Sequence, residues 1–242
     1  MGKNKMNKTI GSLYVVATPI GNLKDITLRA LETLKKVDII FAEDTRVTQK
    51  LLNHYEIKKP VKSFHEHSKG NVYESIAEEL KNGKNIALVT DAGTPGISDP
   101  GAKLICFIKS HPSLSSVIVS PIPGASAIIT ALSVSGLNAD QFTFLGYPPH
   151  KKGRQTFFKN LKEIKVTPIV LYESPHRLQK TLKEIGEVFG MQKEVIVAKE
   201  LTKIHEEVWQ GSVKEAGSYF INAKGKGEFV IIIPHTTQTS EK

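Results

Sequence analysis

Three short stretches place glycine, proline and small hydroxyl residues directly after apolar runs: ATPIGNLKD at 17–25, TDAGTPGISDPG at 90–101 and SPIPGASA at 120–127. Glycine lets backbone approach a ligand closely, and Pro–Gly fixes a sharp turn. Glycine-rich turns between a strand and a helix usually cradle phosphate, because backbone N–H groups and the helix N-terminus attract anions. The middle turn argues for something else. It has no lysine at phosphate-loop spacing, and it holds two carboxylates, Asp91 and Asp99, which repel a polyphosphate. A surface of backbone groups, Asp side chains and Ser hydroxyls suits a zwitterion that carries ribose hydroxyls, such as a nucleoside with a cationic end. No glycine pattern matches G-x-G-x-x-G or the Walker loop, so dinucleotides and nucleoside triphosphates have no support. Each turn alone is an ordinary loop of an α/β fold; three at one sheet edge point to a ligand.

Charged clusters fall at further strand ends. AEDTR at 42–46 offers Arg46 to grip a phosphate and Glu43 or Asp44 to orient a hydroxyl; the plainer alternative is that Asp44 or Thr45 caps the next helix. YESPHR at 172–177 supplies Glu173, His176 and Arg177, suited either to an internal ion pair with a helix cap or to substrate contact. In KELTKIHEE at 199–207, Lys199, Glu200 and Lys203 either face a cleft, where a lysine of lowered pKa is a base, or form an exposed charged strand end. PPHKKGR at 148–154 is the densest basic cluster; Lys151, Lys152 and Arg154 suit phosphate contact, a solvated linker being the alternative. SFHEHSKG brings His65, Glu66 and His67 together, but adjacent ligands on a short loop make a poor zinc site. No metal is expected. Trp209 is expected in the core rather than as a base-stacking platform.

The elements that position these groups follow from hydrophobic spacing. In the first half, buried runs alternate with helical patterns: strands at 13–17, 38–42, 61–64, 86–89 and 116–119, and helices at 26–37 (with Leu28, Leu31 and Leu34 in register), 47–55 and 71–83. Such alternation means a parallel sheet covered by helices, with ligands outside the carboxyl ends of the strands. The composition changes at 138–155, where NADQFTFLGYPPHKKGR reads as a crossing between domains. Beyond it, helices at 154–164, 176–190 and 214–223 accompany strands at 168–173, 194–201, 206–213 and 228–234. The last strands are closely spaced, which indicates hairpins and a mixed second sheet. The expected organisation is an N-terminal α/β domain over 1–125 and a C-terminal α/β domain over 126–242. The polar last eight residues, HTTQTSEK, are expected to fray.

Composition narrows the setting. A 242-residue chain with 40% hydrophobic and 24% charged residues is ordinary globular protein, long enough for one large or two medium domains. The apolar run at 13–17 is far too short to span a bilayer, and the basic Met1–Lys8 precedes no signal-peptide core. The single cysteine, Cys106, excludes a disulfide framework and a cysteine zinc site. A soluble cytoplasmic protein with no membrane partner is expected. The net charge of +9 favours a polyanion. Lys and Arg number 17 before residue 126 and 16 after it, against 12 acidic residues in each part, so the excess belongs to a folded surface and not to a tail.

VATPIGNLKDITLRALETLKKVDIIFAEDTR at 16–46, ALVTDAGTPGISDPG at 87–101, SPIPGASA, YESPHR and KELTKIHEE, in that order over nearly the whole chain, resemble the bacterial 16S rRNA cytidine 2′-O-methyltransferases of the tetrapyrrole-methylase superfamily. The resemblance implies two α/β domains, S-adenosylmethionine folded into the cleft between them, and a homodimer. It implies methyl transfer to the ribose 2′-oxygen of a decoding-centre cytidine in the small ribosomal subunit. Carried over by motif, cofactor contacts would come from Pro19, Ile20, Gly93, Thr94, Ile97, Ser98, Ser126 and Ala127, and from Tyr172 and Leu201 in the second domain. RNA contacts would fall to Arg46, Lys151, Lys152, Arg154 and Arg177, and the loop at 63–70 would close over RNA. The candidate catalytic residues are Glu43, Asp44, Arg46, Lys199, Glu200 and Lys203.

Two departures matter. Porphyrinoid methylases carry a more glycine-rich first loop and a Gly-Asp-Pro in the second, where this chain has TPIGN and GTP; that moves the expected substrate toward RNA. Some members of the rRNA branch continue into a small helical extension, whose RNA contacts would be missing from a chain ending at Lys242. The rivals are a porphyrinoid methyltransferase and a non-catalytic RNA-binding protein. Intact DAGTPG and PGASA turns argue against loss of the cofactor, and spread positive charge argues for a large polyanion over one small ring.

Overall fold

A computed structural model of the chain describes residues 10–65, 70–222 and 227–234. The basic N-terminus, residues 66–69 of the expected RNA-closing loop (Glu66 and His67 among them) and the polar tail lie outside the described residues. The chain divides into two compact units, Met1–Ser126 and Ala127–Lys242.

The first unit is a five-stranded, wholly parallel sheet in the order β3-β2-β4-β1-β5, with β1 at Leu13–Val16, β2 at Ile39–Ala42, β3 at Val61–Ser63, β4 at Ile86–Val89 and β5 at Val119–Ile122. β2 and β4 are buried along their whole length, and their side chains alternate between two cores. Ile39, Phe41, Ile86 and Leu88 face one cluster with Ile76, Leu80, Leu104 and Ile108, from α3 (Gly70–Lys81) and α4 (Ala102–Ser110). Ile40, Ala42, Ala87 and Val89 face the other with Ala30, Leu34 and Leu52, from α1 (Leu28–Lys36) and α2 (Thr45–His54). Helices on both faces explain why these strands read as continuous apolar runs.

Two details differ from the sequence reading. The fifth strand is displaced by three residues, to Val119–Ile122. The Val117 N–H closes a turn onto the Leu114 carbonyl, so the chain straightens only afterwards. Its Pro121 is tolerated because β5 is an edge strand. Leu28, expected in the helix's apolar stripe, is 79% exposed. Thr27 caps α1 by accepting from the Ala30 N–H, which puts Leu28 at the first helical position, while Leu34 is fully buried.

The second unit holds a mixed sheet in the order β6-β7-β10-β8-β9, with β6 at Thr143–Phe144, β7 at Ile169–Glu173, β8 at Glu194–Lys199, β9 at Glu207–Ser212 and β10 at Phe229–Ile233. β6 pairs in parallel with β7, and the other pairings are antiparallel. β6 lies inside the stretch read as a linker; two residues are too short to leave a periodic signal. α5 (Ala127–Ser133) lies against β10. α6 (Arg154–Asn160), α7 (Pro175–Phe189) and α8 (Val213–Tyr219) cover one core of Phe158, Leu171, Leu182, Ile185, Val197, Val213 and Ile231. α7 stops at Gly190, whose φ of +93° suits glycine. Trp209 is half-buried against this core, its ring 5.7 Å from Tyr219, as expected of a packing residue. Among the described residues no helix is long and apolar enough to cross a membrane.

Candidate functional site

The three special turns follow β1, β4 and β5, which are neighbours in the order β4-β1-β5, so all three emerge at the carboxyl edge of one sheet. They are joined by backbone. The Thr18 N–H donates to the Gly93 carbonyl at 2.8 Å, and the Gly93 N–H donates back to the Thr18 carbonyl at 3.1 Å. The buried Thr18 hydroxyl donates to the Thr90 carbonyl at 3.0 Å. The third turn is held by the Ala17 N–H on the Ile122 carbonyl, 3.1 Å, and by the Thr94 hydroxyl on the Ala125 carbonyl, 3.5 Å. Gly93 sits at φ +85°, and a Cβ there would come within 3.6 Å of Ile20 and 3.8 Å of the Ala125 carbonyl. A glycine is therefore at the point where all three turns meet.

Pro19, Ile20, Gly93, Thr94 and Ser126 belong to this junction or adjoin it. Ile97 and Ser98 lie farther along the second turn and are exposed, Ser98 with a φ of +59°. Ala127, Tyr172 and Leu201 belong to the second unit. Ala127 opens α5, Leu201 is buried just past β8, and Tyr172 on β7 is half-buried with Phe144 and Tyr147 at 4.9 and 5.4 Å. Sequence reasoning missed the hydroxyls of Thr18 and Thr90, which knit the edge; their signal was position, each standing where a buried strand gives way to its turn.

AEDTR is tied to the same edge. The Thr90 hydroxyl donates to Glu43 at 3.1 Å, and the Asp44 N–H donates to Asp91 at 2.9 Å. One carboxylate of the middle turn thus holds a neighbouring turn in place. Asp44 caps α2 by accepting from the Arg46 N–H at 2.8 Å, and it pairs with the Arg46 guanidinium at 2.6 Å. The Arg46 side-chain and backbone hydrogen bonds hold the Asp44 carboxyl well below the usual carboxylate range. Asp44 is a cap, which is the plainer of its two readings. Arg46 keeps 86% of its side chain exposed.

In the second unit one expected RNA contact, Arg154, is consumed internally, and Arg177 shares its network. Arg154 is only 3% exposed. Its guanidinium donates to Glu184 at 2.8 Å, to the Thr181 hydroxyl at 2.7 Å and to the Pro149 carbonyl at 3.0 Å. Thr181 in turn donates to Glu173, which is 1% exposed and also holds Arg177 at 2.7 Å. Arg177 donates to the Pro148 carbonyl at 2.9 Å. Arg154 is therefore a core residue that fixes the backbone of the PPHKKGR turn, and Arg177 does the same from α7. Arg154 has no exposed face with which to meet phosphate, whereas Arg177 keeps 14% of its side chain exposed. Lys151 and Lys152 remain exposed on the turn they hold.

Of the two lysines offered as a base of lowered pKa, Lys203 does not fit. Burial pulls its pKa down, but hydrogen bonds to Glu200 and Glu228, each at 2.9 Å, outweigh that and hold the ammonium above its ordinary value. Lys199 stands opposite Glu207 across β8 and β9, 3.8 Å away. Glu200 and Thr202 both have positive φ, +50° and +68°, in the loop that follows β8. Among the described residues, no group of three or more His, Cys, Asp or Glu is arranged to hold a metal ion.

The family model for tetrapyrrole (corrin/porphyrin) methylases matches residues 12–217. The protein named ribosomal RNA small subunit methyltransferase I in Synechocystis sp. is 47% identical over 229 residues, covering 94% of this chain and 80% of that one. Its namesake in Thermotoga maritima is 45% identical over 226 residues, covering 93% of this chain and 98% of that one. Among solved structures, the cobalamin biosynthetic enzyme cobalt precorrin-4 methyltransferase superposes with a TM-score of 0.65 at 18% identity, covering 91% of this chain and 94% of that one. At that identity the likeness is one of fold.

Proposed function

The chain belongs to the tetrapyrrole methylase family, in the branch of the relatives named ribosomal RNA small subunit methyltransferase I, and we propose that it methylates 16S rRNA. The reaction proposed is S-adenosylmethionine-dependent 2′-O-methylation of a decoding-centre cytidine, by a cytoplasmic homodimer acting on the small ribosomal subunit. The observation that carries this reading is the junction of three turns at Gly93 and Thr18, in a chain so similar to rRNA methyltransferases.

The residues there fit the cofactor. Backbone at a glycine junction allows close approach, Thr94, Ser98 and Ser126 offer hydroxyls for a ribose, and the turn carries carboxylates in place of a phosphate-binding lysine. In the first unit Pro19, Ile20, Gly93, Thr94, Ile97, Ser98 and Ser126 would hold it; the second unit's candidates are Ala127, Tyr172 and Leu201. When bound, S-adenosylmethionine supplies a methyl group on a cationic sulfur, ready for in-line displacement. The protein must hold the 2′-hydroxyl in line, and alignment of that kind lowers a barrier by roughly 7–11 kcal/mol. The hydroxyl proton released in the transfer would go to water or to a carboxylate of the protein. Glu43, at the sheet edge, is better placed for this than Lys203, which stays protonated between two carboxylates. Arg46, Lys151 and Lys152 are the exposed cations for phosphate. The 2′-hydroxyl also marks RNA against DNA, so recognition and reaction use one atom.

The test is transfer of radiolabelled methyl from S-adenosylmethionine to isolated small subunits, naked 16S RNA and a porphyrinoid. Label in an alkali-resistant dinucleotide containing cytidine is the expected result. Label on the porphyrinoid alone would overturn the reading.

A further inference from the structure

Beside the turn junction, the first unit contains a cavity of about 330 Å³ that meets the proposed cofactor residues at Ser98 and extends beyond them. It is lined by Glu43 after β2, Phe64 and His65 after β3, Tyr73 on α3, and Asp99 and Lys103 at the entrance to α4. We infer that this cavity is a nucleobase pocket that takes the cytosine of the target nucleotide after it leaves its stack, with Asp99 reading the exocyclic amine and Glu43 left at the ribose side. The inference rests on the rRNA methyltransferase reading and adds the site that chooses the base.

Four observations support it. The cavity is contiguous with the junction: Glu43 lines it and also accepts from Thr90, whose carbonyl takes the Thr18 hydroxyl. Its volume is at the lower end of the range for small-ligand pockets, with room for a base and its ribose. One wall is aromatic: the Tyr73 ring stacks on the buried Phe64 ring at 5.9 Å and 27°, and Phe107 backs it at 5.6 Å. The polar lining combines two carboxylates with the donors Lys103 and His65. Cytosine presents an amine donor, a ring-nitrogen acceptor and a carbonyl acceptor along one edge. The Asp99 carboxylate accepts from the amine, and the Lys103 ammonium donates to the acceptors. Uracil puts a carbonyl where the amine would be, facing the carboxylate, and adenine has no carbonyl for the lysine. Sequence-specific RNA recognition works on unstacked bases read along this edge, because paired bases in an A-form helix hide it.

The experiment uses reconstituted small subunits carrying cytidine or uridine at the target position, with full-length wild-type protein and the Asp99→Asn variant. An asparagine amide donates as well as accepts, so it tolerates the uracil carbonyl. Wild-type protein should prefer cytidine over uridine by at least about tenfold in kcat/KM, and Asp99→Asn should cut that ratio by about tenfold. The ratio is measured on one protein sample, so a general loss of folded enzyme does not imitate the effect. Should Asp99→Asn melt early, Asp99→Ser also removes the charged acceptor and is read in the same way. A wild-type enzyme that methylates both subunits within threefold, or a ratio unchanged in the variant, overturns the pocket assignment and leaves the methyltransferase reading standing. Wild-type protein inactive on both subunits overturns the rRNA reading first, and the pocket with it.

Discussion

Two strand ends in this molecule carry the same residue types and put them to opposite uses. After β2, Asp44 and Arg46 make a local pair two residues apart, capping α2 at the surface with the arginine 86% exposed. After β7, Glu173 has no exposed side chain, and it is held by Arg177 from the next helix and by Thr181, which also takes a hydrogen bond from Arg154. The first pair stays in water, where an ion pair contributes little. The second lies in the core, where each charge must be matched. An acid followed by an arginine says nothing of which case applies; the deciding factor is whether another element, here α6 with Arg154, closes over the pair. The second unit thus uses its arginines to fix the loop bearing Lys151 and Lys152, while the first keeps Arg46 at the surface on Asp44.

The strongest way to break this contrast is to remove the buried acid. Glu173→Gln leaves the Arg177 guanidinium without its carboxylate and removes the charge 4.0 Å from Arg154, and it should cost about 3–5 kcal/mol in urea unfolding. A loss under about 1 kcal/mol would mean that the network is wetter than its burial says, and the two strand ends would then be alike. Next in size is the turn junction. Gly93→Val places a β-branched side chain at φ +85°, where strain alone is about 1–3 kcal/mol, and it fills the space beside Ile20 and Ala125. Calorimetric titration should show S-adenosylmethionine binding weakened by roughly tenfold or more, with the second unit's unfolding unchanged. Undiminished affinity would detach the cofactor from this edge.

What the sequence made legible follows the same division. The parallel first sheet, its helices and the three turns were readable because periodicity and Gly/Pro punctuation are local signals. β5 was misplaced because the turn at Leu114–Val117 is set by one hydrogen bond that no composition announces. β6 was missed because two residues of strand exist only through pairing with β7. Arg154 was misread for a related reason: beside Lys151 and Lys152 it continues a basic run, and only the packing of α6 on α7, with Thr181 and Glu184 waiting, turns it inward. The junction of Thr18 with Gly93 joins residues 75 apart, so the sequence could offer the three turns as candidates but not the contact that unites them.

A smaller effect tests the intermediate case, Lys203, which is partly buried between Glu200 and Glu228. Its folded pKa is raised, so its stabilising contribution is complete below the ordinary lysine value of 10.5 and is lost as pH rises through the folded one. Lys203→Met should therefore cost about 1 kcal/mol or less, constant from about pH 6 to about pH 9 and shrinking only in stronger base. The acid limb of the methylation rate should keep its position in this variant. A shift of that limb would restore Lys203 as a proton acceptor and place the second unit's charges in the chemistry.

The smallest effect is expected at Asp44, and it sharpens the contrast most cleanly because the cap and the ion pair can be separated there. Asp44→Asn keeps an oxygen to accept the Arg46 N–H but removes the charge that pairs with its guanidinium. The carboxyl's folded pKa is depressed, chiefly by the side-chain hydrogen bond from Arg46, so the stabilisation is present above the ordinary carboxylate value and fades as pH falls below it. The melting temperatures of wild type and Asp44→Asn should thus differ slightly at neutral pH, converge in strong acid, and converge again in molar salt, which screens an exposed pair but not a buried one. Glu173→Gln should keep its full deficit in the same salt. If salt were to rescue both variants equally, exposure would not be what separates the two strand ends, and Arg46 would have no better claim to a phosphate than Arg177.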